Sequence, residues 1–135
     1  MRFPLAITES FLLEPVLRLF GVNEGSSYVE LGKDTLEVSM GIWFHETFAL
    51  TNVARIAPSD WPWWGGLGVK LHHHGVGVIG STEGVVNLQL KEAQAVTAVA
   101  SVSCKQLWLS LADREQFVRA LSAATHVPVS EHTPF

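Results

Sequence analysis

From Ser26 onward, apolar and polar residues alternate with a period of two in seven short runs: "SYVEL", "TLEVSM", "WFHETFAL", "VARIAP", "GVGVIGS", "VVNLQLK" and "KQLWLSL". Such alternation places successive side chains on opposite faces of a half-buried strand. In "WFHETFAL" it puts Phe44, Glu46 and Phe48 on one face and Trp43, His45, Thr47 and Ala49 on the other; in "KQLWLSL" it opposes Leu107, Leu109 and Leu111 to Trp108. Turn signals separate the runs: "GKD", Met40-Gly41, Thr51-Asn52, the glycine-rich stretch 59–68, and "TEG" read as a hairpin turn. The segment "EAQAVTAVASVSC" is a connection of moderate apolarity that leaves a strand open.

The period shifts towards 3.6 at the two ends. In "ADREQFVRALSAATH", Asp113 stands where an N-cap would, with Gln116 three residues on, and Phe117, Ala120, Leu121 and Ala124 recur at helical spacing. In "TESFLLEPVLRLFGVNEG", Pro15 suits a first helical turn and Gly21 a helix end, so about two turns of helix are expected, as a brace on the domain or a cover for a sheet edge. The expected organisation is an N-terminal helical extension over 1–25, a mainly β domain over 26–124 closed by one helix, and a loose tail over 125–135 with two prolines and no periodicity.

The chain has 135 residues, 47% hydrophobic and 16% charged, enough for one domain with a sizeable core. Its nine Lys and Arg are scattered and its formal charge is −4, so neither the phosphate backbone of nucleic acid nor an anionic lipid surface finds a concentrated cationic patch. One cysteine, Cys104, allows no internal disulfide, and no thiolate metal spacing occurs. No signal peptide or long apolar span is legible, and a cytoplasmic location is expected.

Seven strands followed by one helix resemble the pleckstrin-homology-like (PH-like) barrel. The pattern "YVEL…TLEVSMG…FALTNVARI…PWWGGLGV…GSTEGVVNLQL…LWLSLADREQFVRAL" is similar to a small actinobacterial family of that type, without an established activity. The resemblance implies a split barrel of about seven antiparallel strands plugged by a C-terminal helix, and a tendency to homo-oligomerise. In eukaryotic relatives a basic loop between the first two strands grips inositol phosphates; the matching loop here, "LGKD", offers Lys33 beside Asp34, which disfavours phosphoinositides.

Chemistry concentrates in "SDWPWWGGLGVKLHHHGVGVIGS". Trp61, Trp63 and Trp64 carry roughly 150–250 Å² each, more than a monomer usually leaves bare in one patch, so the rings either fold back over the barrel mouth or form an interface. Trp61, between Pro58 and Pro62, is the ring expected to face a partner. In an extended strand His72 and His74 would point the same way about 6.6 Å apart; two imidazoles fall short of a metal site unless His45 or Glu46 joins them, and no cofactor is expected. "IGSTEG" is no nucleophile elbow, neither glycine cluster opens a helix, Cys104 reads as a structural thiol, and Glu30 and Glu37 read as solvent-facing strand carboxylates.

These readings favour a non-enzymatic module that binds a protein partner or itself through Trp61, Trp63 and Trp64. A second reading is a carrier of a small apolar ligand in a mouth lined by Trp43, Trp63, Trp64, Phe117 and Leu121, with His72 and His74 as polar anchors. A histidine-metal enzyme ranks third, for want of a complete ligand set.

Overall fold

The computed structural model describes residues 1–6, 27–41, 44–61, 68–72, 74–98 and 100–132. All seven runs are strands, and two further strands join them. Arg2–Pro4 (β1), Ser27–Leu31 (β2), Thr35–Met40 (β3) and Phe44–Ala49 (β4) form an antiparallel sheet in chain order. The first residues of the expected helical extension are therefore a strand, paired Phe3 to Val29. The helix expected further along that extension lies outside the described residues.

The second sheet contains Val53–Pro58 (β5), Gly68–His72 (β6), Gly75–Ile79 (β7), Val85–Ala98 (β8) and Ala100–Ser110 (β9) in the order β5-β8-β9-β7-β6. Its strands are not all antiparallel, as the barrel resemblance implied: β7 lies parallel to β9, with Val76 opposite Leu107 and Val78 opposite Leu109. The open segment 92–104 belongs to a long β8–β9 hairpin, with a register shift between Gln89 and Gln94. Past that irregularity the arm turns towards the first sheet. The Gln94 side-chain amide donates to the Thr47 carbonyl at 2.9 Å, and Glu46 accepts the Thr97 amide at 2.8 Å. Asn52 braces the bend: its amide donates to the Glu92 carbonyl and its oxygen accepts the Glu92 N–H, both at 2.9 Å.

The sheets also meet at β1. Leu5 forms an isolated antiparallel bridge with Leu111, Ala112 N–H donates to the Pro4 carbonyl, and Ala6 N–H donates to the Ser110 carbonyl. The Ser110 hydroxyl is buried there, accepting the Gly80 N–H at 2.9 Å and donating to the Ala6 carbonyl at 3.1 Å. One side chain thus joins three segments distant in sequence.

Inward-facing residues of both sheets make one core. Val29, Leu36, Val38, Phe44 and Phe48 come from the first sheet, and Ile56, Val76, Val78, Leu88, Leu107 and Leu109 from the second, all at most 1% exposed. Asp113 caps the helix Arg114–Thr125 (α1) by accepting the Gln116 N–H at 3.1 Å, as its position in the sequence predicts. The helix buries Phe117, Val118 and Leu121, and Phe117 meets Phe3 of β1 edge-on with ring centroids 5.3 Å apart. Ala124, expected on the same apolar face, is exposed.

The described part of the tail, up to residue 132, is paired with β5. His126 ends the helix in the left-handed conformation, Val129 then bridges Ile56 in parallel register, and Ser130 N–H donates to the Ile56 carbonyl at 2.8 Å. Periodicity gave no sign of this because one isolated bridge leaves no alternating run.

"STEG" joins two strands that are not neighbours. Because β7 and β8 flank β9, residues 80–84 cross the end of β9, where Leu111 N–H donates to the Gly84 carbonyl at 2.8 Å. Gly84 has φ +69°, and a Cβ there would lie 2.2 Å from the Leu111 carbonyl oxygen. Gly84→Ala is therefore expected to cost at least about 2 kcal/mol in urea unfolding, whereas Gly32→Ala, whose Cβ would meet Thr35 at an ordinary 3.5 Å, should stay within about 1 kcal/mol of the unmutated chain. Equal costs would contradict the crossing.

Candidate functional site

The connection from β5 to β6 has to cross the second sheet, because these strands lie at its opposite edges with β8, β9 and β7 between them. Four inter-strand steps make about 19 Å, and the nine residues 59–67 can reach about 30 Å when extended. The described start of this connection, residues 59–61, lies against one face of the sheet. Ser59 N–H donates to the Val85 carbonyl at 2.9 Å, and Trp61 packs with Ile79, Val85 and Trp108 in a second, smaller hydrophobic cluster. This cluster lies on the face turned away from the main core, since Trp108 alternates with the core residues Leu107 and Leu109.

Trp61 is thus a correction to the sequence reading. The ring expected to face a partner is only 4% exposed. It meets Trp108 edge-on at a centroid distance of 6.0 Å, and its Cη2 lies 2.7 Å from where a Cβ on Gly77 would stand. Glycine at 77 opens the floor on which the ring rests, and the ring in turn buries Trp108, a residue whose strand phase alone would leave it in solvent. Beside this cluster, Asn87 is 1% exposed; its amide donates to Gln106 Oε1 at 3.2 Å, and its oxygen accepts from Gln89 at 3.5 Å. Trp63 and Trp64 lie outside the described residues, as do Trp43 and His73.

The histidine run is not one extended strand. β6 ends at His72, which pairs with Gly75, and His74 sits in the intervening turn at φ 59° with its carbonyl accepting the Lys105 N–H at 2.8 Å. The equal-side spacing assumed for His72 and His74 therefore does not apply. Among the described residues no group of three or more His, Cys, Asp or Glu is placed to hold a metal. His45 and Glu46 point to opposite faces of β4, and Glu46 is engaged by the Thr97 amide.

The outer face of the first sheet carries a polar ladder that sequence reasoning did not assemble. Arg2 Nε bonds Glu30 at 2.8 Å while its guanidinium carbon lies 3.8 Å from the centre of the Tyr28 ring. Tyr28 donates to Glu37 at 3.0 Å, and His45 Nε2 lies 3.1 Å from the other Glu37 oxygen. The hydrogen bonds from His45 and then Tyr28 hold the Glu37 carboxyl below its usual range. Glu30 and Glu37 are direct cross-strand neighbours, and each of these facing carboxylates has a partner on the strand beyond it, Arg2 on β1 and His45 on β4. The ladder is largely exposed and offers ion pairs of surface strength.

Phe117 and Leu121, assigned above to a ligand mouth, are fully buried in the main core, where protein side chains fill the space between helix and sheets. Among the described residues, a cleft of about 410 Å³ opens at the helix start, lined by Ser81, Glu83, Asp113, Arg114 and Glu115 among others. Its polar groups already serve the fold: Ser81 accepts the Glu83 N–H, Asp113 caps the helix, and Arg114 donates to the Val85 carbonyl at 3.2 Å.

The sheet edges are covered unequally. β1 meets β9 through Leu5 and Ala6, β4 meets the β8 arm, and β5 is followed by the tail. Among the described residues no strand pairs with the outer edge of β6, and Leu71 on that strand is 54% exposed. Nothing in the period-two pattern marked β6, because "GVKLH" is short, glycine-led and runs into the histidines. Compared with family models, curated proteins and solved structures, the chain matches none. No helix among the described residues is long and apolar enough to cross a membrane.

Two measurements test these placements. Trp61→Ala is expected to lower the unfolding free energy by about 3–5 kcal/mol in a urea titration; a loss below about 1 kcal/mol would mean the ring is not packed on the sheet. Burial pushes the Cys104 thiol up to about 11, so a thiol reagent at pH 8 should label it at the rate of unfolding rather than of a free thiol. Immediate stoichiometric labelling of folded protein would contradict that.

Proposed function

We propose that this chain is a non-enzymatic self-association module of PH-like architecture, acting in the cytoplasm, and that β6 is the strand through which two copies meet. The observation that carries the reading is the β6 edge, with which no strand among the described residues pairs and on which Leu71 is exposed, while the other sheet edges are each met by a described segment. Exposed strand edges template pairing with another chain. A twofold antiparallel pair centred on Leu71 sets that residue opposite its own copy and Lys70 opposite position 72. Centring on Lys70 would instead oppose two ammonium groups, so charge selects the first register.

The PH-like reading rests on topology. Without the β6–β7 hairpin, the elements are four antiparallel strands, then the antiparallel trio β5-β8-β9, then one helix. In this alignment the hairpin is an addition to the sheet, and the connection between the first two strands is 5–26 rather than "LGKD". That connection has Arg18 against Glu9, Glu14 and Glu24, which keeps phosphoinositides disfavoured.

A single strand pair is a small interface, below the roughly 1,200 Å² of stable complexes, so the dimer should be concentration-dependent. Light scattering of untagged protein is expected to show a mass rising towards that of a dimer as concentration increases, and Leu71→Glu is expected to hold it at the monomer value without changing the thermal midpoint. A mass independent of both concentration and this substitution overturns self-association through β6. A monomer that gains a partner lost in Leu71→Glu would move the same edge to recognition of another protein.

A further inference from the structure

The opposite edge of the same sheet carries a second surface, and its argument does not depend on β6. β5 is an edge strand, and the residues that follow α1 lie along it. Val129 is in parallel register with Ile56, Ser130 N–H donates to the Ile56 carbonyl at 2.8 Å, and His132 Nε2 lies 3.0 Å from Asp60 Oδ1. Because backbone groups alternate along a strand, Ile56 and Pro58 turn theirs to this outer edge, beyond the register shift between Val53 and Arg55. Pro58 has no N–H to offer there, which suits an edge strand and limits how far pairing can extend.

Val127 packs against the core, and the described tail beyond it lies on this edge without entering the core. Val129 is 41% exposed, and the Asp60–His132 pair is between exposed side chains. Its departure from the helix is constrained. His126, a residue with a Cβ, takes φ 60°, and pairing begins three residues later. Ser122 Oγ donating to the Val127 carbonyl at 2.6 Å, and Val127 N–H donating to Thr125 Oγ1 at 3.3 Å, hold that tight exit in place. Short connections under conformational strain favour exchange of the segment they hold between copies.

We propose that the β5 edge is a strand-accepting site, occupied in cis by residues 127–132, that takes the same segment of a second copy in trans when its own tail is displaced. The occupant follows from continuity: the tail of a copy presents the same sequence to the same edge in the same register. Trans binding is therefore limited by competition from the cis tail.

The test uses the full chain carrying Leu71→Glu, so that any β6 association is absent, and a fluorescent peptide of residues 127–135, VPVSEHTPF, as the trans tail. Ser130→Pro removes the N–H that donates to Ile56, while Ser130→Ala keeps it. By fluorescence anisotropy, Ser130→Pro is expected to bind the peptide about fivefold tighter than Ser130→Ala or the parent, the effect of one hydrogen bond, and a peptide with proline in place of its own serine should bind about fivefold more weakly. Should Ser130→Pro fail to fold, His132→Ala decides, with about a twofold gain expected from loss of a surface ion pair. Equal peptide affinity in the folded variants and the parent, or no binding to any of them, overturns the proposal.

Discussion

The parallel placement of β7 beside β9 is the constraint on which much of the second sheet depends. A parallel neighbour cannot be joined by a tight turn, so inserting the β6–β7 hairpin at that edge separates β5 from β6 and β7 from β8. One connection must then pass over three strands and another over one. The first brings Trp61 down onto the sheet; the second forces a left-handed glycine against Leu111. Residues that invite a functional reading, a tryptophan between prolines and a glycine-rich turn, are there consequences of sheet order.

That order also buries both faces over part of the second sheet. Its inner face packs with the first sheet and α1; its outer face is closed by Trp61 over Trp108, beside the amides of Asn87, Gln89 and Gln106. Strands buried on both sides lose the clean alternation of a half-solvated sheet. "GVGVI" shows this, with every residue of β7 buried and glycines taking the alternate positions.

Much of the fold was legible from residues that obey a local rule. The seven runs, the phases of Phe44 and Phe48 and of Leu107, Leu109 and Leu111, and the Asp113 cap each depend on neighbours within a few positions, and each is found where the pattern predicts. Strand adjacency does not depend on neighbours, so "STEG" read as a hairpin turn and turned out to cross β9. Trp61 was misplaced for the same reason: flanking prolines report backbone stiffness, whereas burial depends on Gly77 and Trp108, which are distant in sequence. β1 and the tail escaped notice because three paired residues and one bridge are too few for a period to register.

The Ser110 hydroxyl spans 104 residues of sequence when it donates to Ala6, and 30 when it accepts from Gly80. A bond of that reach sets a schedule for assembly. During synthesis β1 can align on β2 early, but the corner that joins it to the second sheet has no partner until the ribosome has delivered residue 110. Contacts of such separation slow folding, because the intervening chain has to close before they can form. β1, made before β2–β9, is thus tied to the second sheet only after β9 is complete.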